Sequence, residues 1–406
     1  MALRISTSKH NYKAFLWHAI FLAFAQNFMD VDTVIPAMVI ESGGNSFHVG
    51  IMAAIMMGGS SFTQLFFAPV LSNISFKKKY LLLGINLRIL SLFSLALILY
   101  LLVAKNSHSI LWFLFLLISI FSFSGAFTNI SYIDVLGKSI TKIKRKSFFS
   151  ARQIVGGIVI LSTAFLAKEI LSGSPFPGNY AIMFLVGGTS LFIASLGFWN
   201  IKETEPSGTK ISGLKSFVQS MRHELRHNKK LIYFLGFINT QGIVISFIPF
   251  VMLYAKESFH SQASDTGLYL LFKVIGVVSM SLIVLIYNKH IKYNALLYLN
   301  AAISILIAII ILFIPDAVLL KWVFILGGVA VSLYMITLNG VLLEISGNEN
   351  RSLYTGLIGA GNILPTLFPL LSGSIINKMG YQFFFILFIL IISTSFFFIY
   401  RLKCKK

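Results

Sequence analysis

Twelve apolar stretches, each long enough to cross a membrane, follow one another along this chain of 406 residues. They fall at 14–40, 48–71, 80–103, 109–133, 148–168, 180–200, 230–254, 265–287, 293–314, 321–343, 353–376 and 380–400. A helix of about 20 residues spans the hydrocarbon core of a bilayer. Lipid offers the backbone no hydrogen bonds, so a spanning segment must satisfy its own, and a helix does so. Composition agrees: 57% of residues are hydrophobic and 11% charged, more apolar surface than a soluble domain can hide. The expectation is an all-α membrane protein with 12 transmembrane helices.

One long break, 201–229, divides the segments six and six. The domains expected are an N-terminal six-helix bundle at 1–200, a linker at 201–229 and a C-terminal six-helix bundle at 230–406. Ile211, Leu214, Phe217, Val218, Met221 and Leu225 share a helical face in the linker, with Lys215, Arg222 and Arg226 opposite. Such a helix lies along a membrane surface.

With the N-terminus placed inside, 25 of the 33 Lys and Arg fall in cytoplasmic segments and 5 in exterior loops. This bias puts both termini in the cytoplasm. The net charge of +20 is then topology and contact with the lipid bilayer, and no nucleic-acid partner is expected. The basic N-terminus and its apolar run read as a retained first helix, since the run is long and lacks a small-residue cleavage site. The single cysteine, Cys404, allows no internal disulfide and no cysteine metal cluster. Richness in Ile, Phe, Lys and Asn points to a bacterial cytoplasmic (inner) membrane.

The halves repeat. FAQNFMDVDTVIP (24–36) aligns with FINTQGIVISFIP (237–249), and HVGIM (48–52) with DTGLY (265–269). KSFFSARQIVGG (146–157) aligns with RSLYTGLIGAGN (351–362). Two related bundles are implied.

At this point the chain resembles the major facilitator superfamily (MFS) over its whole length. That family carries a Gly, an Asp and a basic cluster between helices 2 and 3. Here the place reads APVLSNISFKKKYLL, with Asn73 at the Asp position and Lys77, Lys78 and Lys79 as the cluster. The matching loop, IYNKHIKYN, has Asn288. Helix 4 (FSFSGAFTNISYIDVL) lacks the arginine that many members link to proton coupling. RKSFFSARQIVGG is similar to the start of helix 5 in a bacterial branch of undefined substrate. The resemblance implies a secondary active transporter that moves a small-molecule substrate by alternating access, with protons as the coupling partner and a monomer as the working unit.

Charged residues within the spans are the candidate working parts, because a charge there is expensive. Asp30 and Asp32 lie in the first segment. On a helical wheel Gln26, Asn27, Asp30 and Thr33 share a face, and Asp32 points about 200° away. Helix 1 lines the central cavity in the family resembled, so Asp30 is the leading proton or cation coupling residue. Asp32, the second coupling candidate, needs a protein partner or stays protonated. Lys273 enters helix 8 from outside to about 12 Å, the depth of Asp32, and is a partner for either acid. The alternative for Lys273 is to snorkel to the interface. Arg152 enters helix 5 past a basic loop, where it binds an anionic substrate, gates, or anchors to lipid phosphate. Arg88 anchors or pairs on helix 3. Polar residues on the family's cavity helices (Asn129, Asn239, Gln241, Tyr334, Asn339 and Asn362) are substrate-contact candidates or interhelical glue. Pro36, Pro249 and Pro365 bend helices that must rock.

His223-Glu224-Leu225-Arg226-His227 matches the zinc-protease pattern H-E-x-x-H. It sits in a charged linker with no evident third ligand, so an enzyme is not expected, nor is a metal or cofactor. No Walker A motif is present, which argues against ATP-driven transport. An uncoupled facilitator, a drug or lipid exporter, and a transporter-like sensor are the alternatives.

Overall fold

The structure is a computed structural model. It describes every residue except 1, 73, 103–108, 141, 207–213, 288–290, 347–353, 355–356, 360 and 403–406. Asn73, Asn288, Ile211, Ser352 and Cys404 therefore lie outside the described residues.

Helix is the regular structure throughout the described residues. In chain order the helices are α1 (Ala2–Gln26), α2 (Val34–Glu41), α3 (Ser46–Ser72), α4 (Lys78–Leu102), α5 (Ser109–Ser139), α6 (Lys142–Gly173) and α7 (Gly178–Trp199). Then follow α8 (Leu214–His227), α9 (Lys229–Gln241), α10 (Ile243–Phe259), α11 (Ala263–Tyr287), α12 (Tyr293–Leu312), α13 (Leu320–Ser346) and α14 (Ile363–Leu402). Ten helical stretches among the described residues are long and apolar enough to cross a membrane. One of them, Leu357–Leu402, is twice the necessary length. It is interrupted at Gly380, whose φ of 81° only glycine adopts without strain. α3 has the length of a further crossing, so the count is consistent with twelve.

Three of the expected spans are interrupted, each upstream of a proline. The first span ends its helix at Gln26, tightens into a 3₁₀ turn at Asn27–Met29, and extends at Asp30 (φ −63°, ψ 125°). It resumes as α2 at Val34, with Pro36 its third residue. The seventh divides at Gly242, seven residues before Pro249. The eleventh is non-helical at Asn362, and α14 starts at Ile363 with Pro365 its third residue. The physical reason is common to the first and last. Proline has no N–H and its ring clashes with the carbonyl four residues back, but the first turn of a helix needs neither.

By contacts the chain divides into two compact units: Met1–Asp30 with Gly59–Ser216, and Val31–Gly58 with Phe217–Lys406. The first unit contains α1, α4–α7 and the later part of α3. Within it α4 packs on α5 and α7, and α1 on α6 and α7. Phe15 centres an aromatic cluster with Tyr132, Phe148 and Phe198, all edge-on to it with ring centroids 5.5–6.2 Å apart. Small residues permit close crossings: a Cβ on Gly84 would meet Thr128 and the Ser124 carbonyl.

The second unit joins α2 and the start of α3 to α8–α14. Within it α11 packs on α13, α9 and α12 on α14, and α2 on α10 and α11. Phe247 anchors its aromatic core, stacked on Phe388 at 3.9 Å and on Phe384 at 5.6 Å. Gly276 and Gly328 face each other's helices at backbone contact, so neither could carry a side chain without parting α11 from α13.

Candidate functional site

The break in the first span separates its two acids. Asp30 is the half-buried extended residue that ends the first unit. Asp32, in the turn before α2, is 4% exposed and belongs to the second. There its Oδ2 lies 2.5 Å from Lys273 Nζ, a buried ion pair between the start of α2 and the middle of α11. A short turn rather than a continuous helix sets the direction of Asp32, so the wheel angle from Asp30 does not apply.

Other contacts tie the same segment into the second unit, and the sequence did not announce them. Glu41, at the end of α2, pairs with Lys256 at the end of α10. Ser46 Oγ donates to Asn377 Oδ1 at 2.6 Å and to the Gly373 carbonyl at 3.1 Å. A Cβ on Gly50 would overlap the Pro369 carbonyl, and one on Gly373 would overlap the backbone of Ser46 and Phe47.

Most polar candidates are spent holding helices together. Asn27 Nδ2 donates to the Ile160 carbonyl at 2.6 Å and to Thr163 Oγ1 at 2.8 Å, tying the 3₁₀ turn to α6. Asn239 on α9 brackets the break in the eleventh span. Its Nδ2 donates to the Gly361 carbonyl (2.6 Å) and its Oδ1 accepts from the Leu364 N–H (2.8 Å), replacing bonds the helix lost. Gln241 is fully buried, donates to Ser304 Oγ at 2.8 Å and accepts from Ser395 Oγ at 3.4 Å. Tyr334 is buried, stacks on Phe237, and sets its hydroxyl against Gly242. Asn362 carries a buried Oδ1 with no hydrogen-bond partner among the described residues. Gln26, Asn129 and Asn339 are exposed, and the Asn339 amide bonds within its own helix, to the Met335 carbonyl.

Three elements bring Arg152 into an aromatic pocket of the first unit. Its Nη1 donates to Tyr132 Oη of α5 at 3.4 Å, with the guanidinium 5.9 Å over that ring. His18 of α1 lies 6.2 Å from Tyr132 and stacks on Phe198 at 3.6 Å. Its Nδ1 contacts the Ala194 carbonyl at 3.1 Å. A carbonyl only accepts, so Nδ1 holds the proton.

The basic loop before α4 is held by carboxylates elsewhere in the first unit. Glu203, just past α7, accepts the N–H groups of Lys77 and Lys78, each at 2.8 Å, and so caps the N-terminus of α4. Lys138 reaches Glu203 at 2.7 Å and Asp134 at 3.1 Å, and Lys77 reaches Asp134 at 3.2 Å. A single acid in a linker gives no periodic signal, so Glu203 could not be singled out from the sequence.

The H-E-x-x-H motif lies on α8, and its glutamate is engaged. Tyr354 Oη donates to Glu224 Oε2 at 2.7 Å and accepts from Asn228 Nδ2 at 2.8 Å. Burial, with that carboxylate beside it, raises the Tyr354 pKa, so the hydroxyl stays a donor. His223 and His227 stack at 4.2 Å. Among the described residues no three groups are placed to hold a metal.

The family profile described as Major Facilitator Superfamily matches residues 16–362. The chain belongs to the Major Facilitator Superfamily. This superfamily member is a multi-pass membrane transporter rather than an enzyme. Solved superfamily structures share its fold. A point mutant of the nucleoside transporter NupG superposes with a TM-score of 0.68 at 14% identity, over 96% of this chain and 98% of that one. NupG without the mutation gives 0.63 at 16% identity, over 97% and 98%. A POT family transporter in complex with a thioalcohol-conjugated peptide gives 0.67 at 12%, over 97% and 96%. No curated protein sequence matches the chain.

Proposed function

We propose that this protein is a proton-coupled secondary transporter of a small solute, working by alternating access as a monomer in a bacterial cytoplasmic membrane. Both termini are cytoplasmic in this reading, as the loop charges require. The observation that carries it is the buried Asp32–Lys273 pair. A carboxylate inside a membrane persists only with a partner, and a proton can replace that partner. Protonating Asp32 cancels the attraction that fixes the start of α2 to α11. Proton binding and release of that segment are therefore the same event seen from two sides. Asp30, two residues earlier in the chain, is the other acid proposed to take part in coupling.

The structural relatives carry nucleosides and bind a peptide conjugate by their descriptions. That supports a polar metabolite of modest size rather than an apolar drug. The test is transport in proteoliposomes. Solutes are first found by counterflow, which needs no gradient; accumulation is then driven by an imposed pH difference. Asp32→Asn is expected to retain counterflow and lose pH-driven accumulation, and Asp30→Asn to weaken it. Wild-type dependence on the pH gradient in both variants would overturn the coupling assignment.

A further inference from the structure

We infer that residues 34–58, α2 with the first half of α3, form a hinged lid on the second unit, and that Glu41, Lys256, Ser46 and Asn377 are the gating residues that hold it shut. The inference rests on the transporter reading and adds the piece of chain that moves.

The lid is built as one stiff piece. α2 and α3 are joined by the turn Ser42–Asn45, whose bonds close on themselves. Gly43 and Gly44 donate their N–H groups to the Ile40 and Val39 carbonyls, both at 2.9 Å. Gly43 takes the positive φ, 88°, with which many helices end. Asn45 then caps α3. Its Oδ1 accepts from the N–H groups of Phe47 and His48, while His48 Nδ1 accepts from the Asn45 N–H.

Both connections of this piece are suited to bending. Before it, Asp30 is extended and the α-helix does not resume until Val34. After it, α3 runs through Gly58-Gly59-Ser60-Ser61. A glycine weakens a helix interior by about 1 kcal/mol, and Gly/Ser pairs are where helices kink. The chain enters the second unit after Asp30 and leaves it after Gly58, so the unit boundaries fall on the two weak points. α3 is gripped differently on the two sides. Gly50 sits at backbone contact with Pro369 of the second unit, whereas Gly59 presses on Ser122 and Phe123 of the first.

Polar ties then decide whether the lid stays down. Lipid is as apolar as a helix face, so apolar packing alone holds helices weakly in a bilayer. Among the described residues three polar ties are spaced along the lid. Asp32–Lys273 lies just before α2. Glu41–Lys256 lies at the far end of α2, a helix about 12 Å long at 1.5 Å per residue. Ser46 holds Asn377 at 2.6 Å and the Gly373 carbonyl at 3.1 Å at the start of α3. The first tie is the coupling pair. The other two have no part in coupling, and they stand at the end of the span that faces the exterior in the proposed topology. Parting them swings the α2–α3 turn about its two hinges, while α1 and the rest of α3 keep their packing in the first unit. The motion is that of a hinged segment rather than of a whole six-helix bundle.

Pulsed electron-spin distance measurements on the full-length protein, in a Cys404→Ser background, test this. Phe47→Cys is exposed at the start of α3. Its nitroxide is paired with one at Lys378→Cys on α14, and separately with one at Ser172→Cys near the end of α6; both sites are exposed. Glu41→Gln with Lys256→Gln removes one tie without stranding a charge, and Ser46→Ala with Asn377→Ala removes the other. Each double variant is expected to raise several-fold the share of a longer 47–378 distance, with the 47–172 distance changing in step. A rigid N-terminal bundle carries 47 and 172 together, so a longer 47–378 distance with 47–172 fixed would overturn the lid. Unchanged distances in variants that elute as wild type on gel filtration would overturn it as well. The Ser46 and Asn377 changes touch no charge, so they keep the test open if the other pair impairs folding. Neither solute nor gradient enters these measurements. A failed coupling assay does not bear on them, and a fixed lid leaves Asp32 as the coupling acid.

Discussion

Asp32 and Lys273 exclude water from each other's charge, so each is far more costly alone than together. Removing one partner of a buried pair destabilises by about 3–5 kcal/mol, whereas replacing both by apolar groups is often neutral. Lys273→Met is therefore expected to lower Tm sharply, and Asp32→Leu with Lys273→Met to recover most of the loss without recovering transport. Recovery of transport as well would show that the pair is only structural. A quieter case is Asn239, whose amide completes the broken backbone at Gly361 and Leu364. Asn239→Ala leaves buried groups unpaired at about 1–3 kcal/mol. Hydrogen exchange at Leu364 should quicken, and unchanged exchange there would rule out the bracket. The sequence marked Asn239 and Gln241 as polar residues on a working helix, and both now appear as internal ties. Nothing in a side chain's identity tells which of its neighbours will be backbone, so glue and ligand contact look alike until the partners are placed.

Helices were the most legible level. The spans, the amphipathic α8 and the interruptions near Pro36 and Pro365 follow from apolar length, helical periodicity and the missing N–H of proline. What a one-dimensional reading could not reach is where the proline effect lands. The interruption falls before the residue, because proline suits the first turn of the next helix. It was equally blind to Glu41, Glu203 and Ser46, whose partners are 65 to 331 residues away in the chain. The packing of two elements can be tested directly. α8 is held to the second unit by Tyr354 and by Met221 and Leu225 against Leu231 and Leu357. Tyr354→Phe removes the bonds to Glu224 and Asn228, and proteolysis within α8 should accelerate; an unchanged rate would mean the apolar contacts suffice. Gly50→Val pushes a side chain into the Pro369 carbonyl, so α3 and α14 must part. A loss of Tm is expected, and a neutral outcome would argue against that crossing.

At the scale of the whole molecule, the compact units do not coincide with the two halves of the chain, because Val31–Gly58 joins the second. A fragment beginning at residue 204 therefore lacks part of its own packing. Expressed alone it should unfold at lower temperature than the intact protein, and co-expression with 1–206 should restore it. Equal stability of the lone fragment would show that Val31–Gly58 contributes little. The same feature bears on biosynthesis. Lys256 follows Glu41 by 215 residues, and translation proceeds at about 5–20 residues per second. For roughly 10–40 s the start of the chain is already made while the lysines that neutralise it are not. The ribosome thus delivers α2 and its acids long before α10 and α11 exist to receive them. The nascent first span has to wait in or beside the insertion machinery as an acid-bearing segment, and helices of the second half of the chain complete the position of α2.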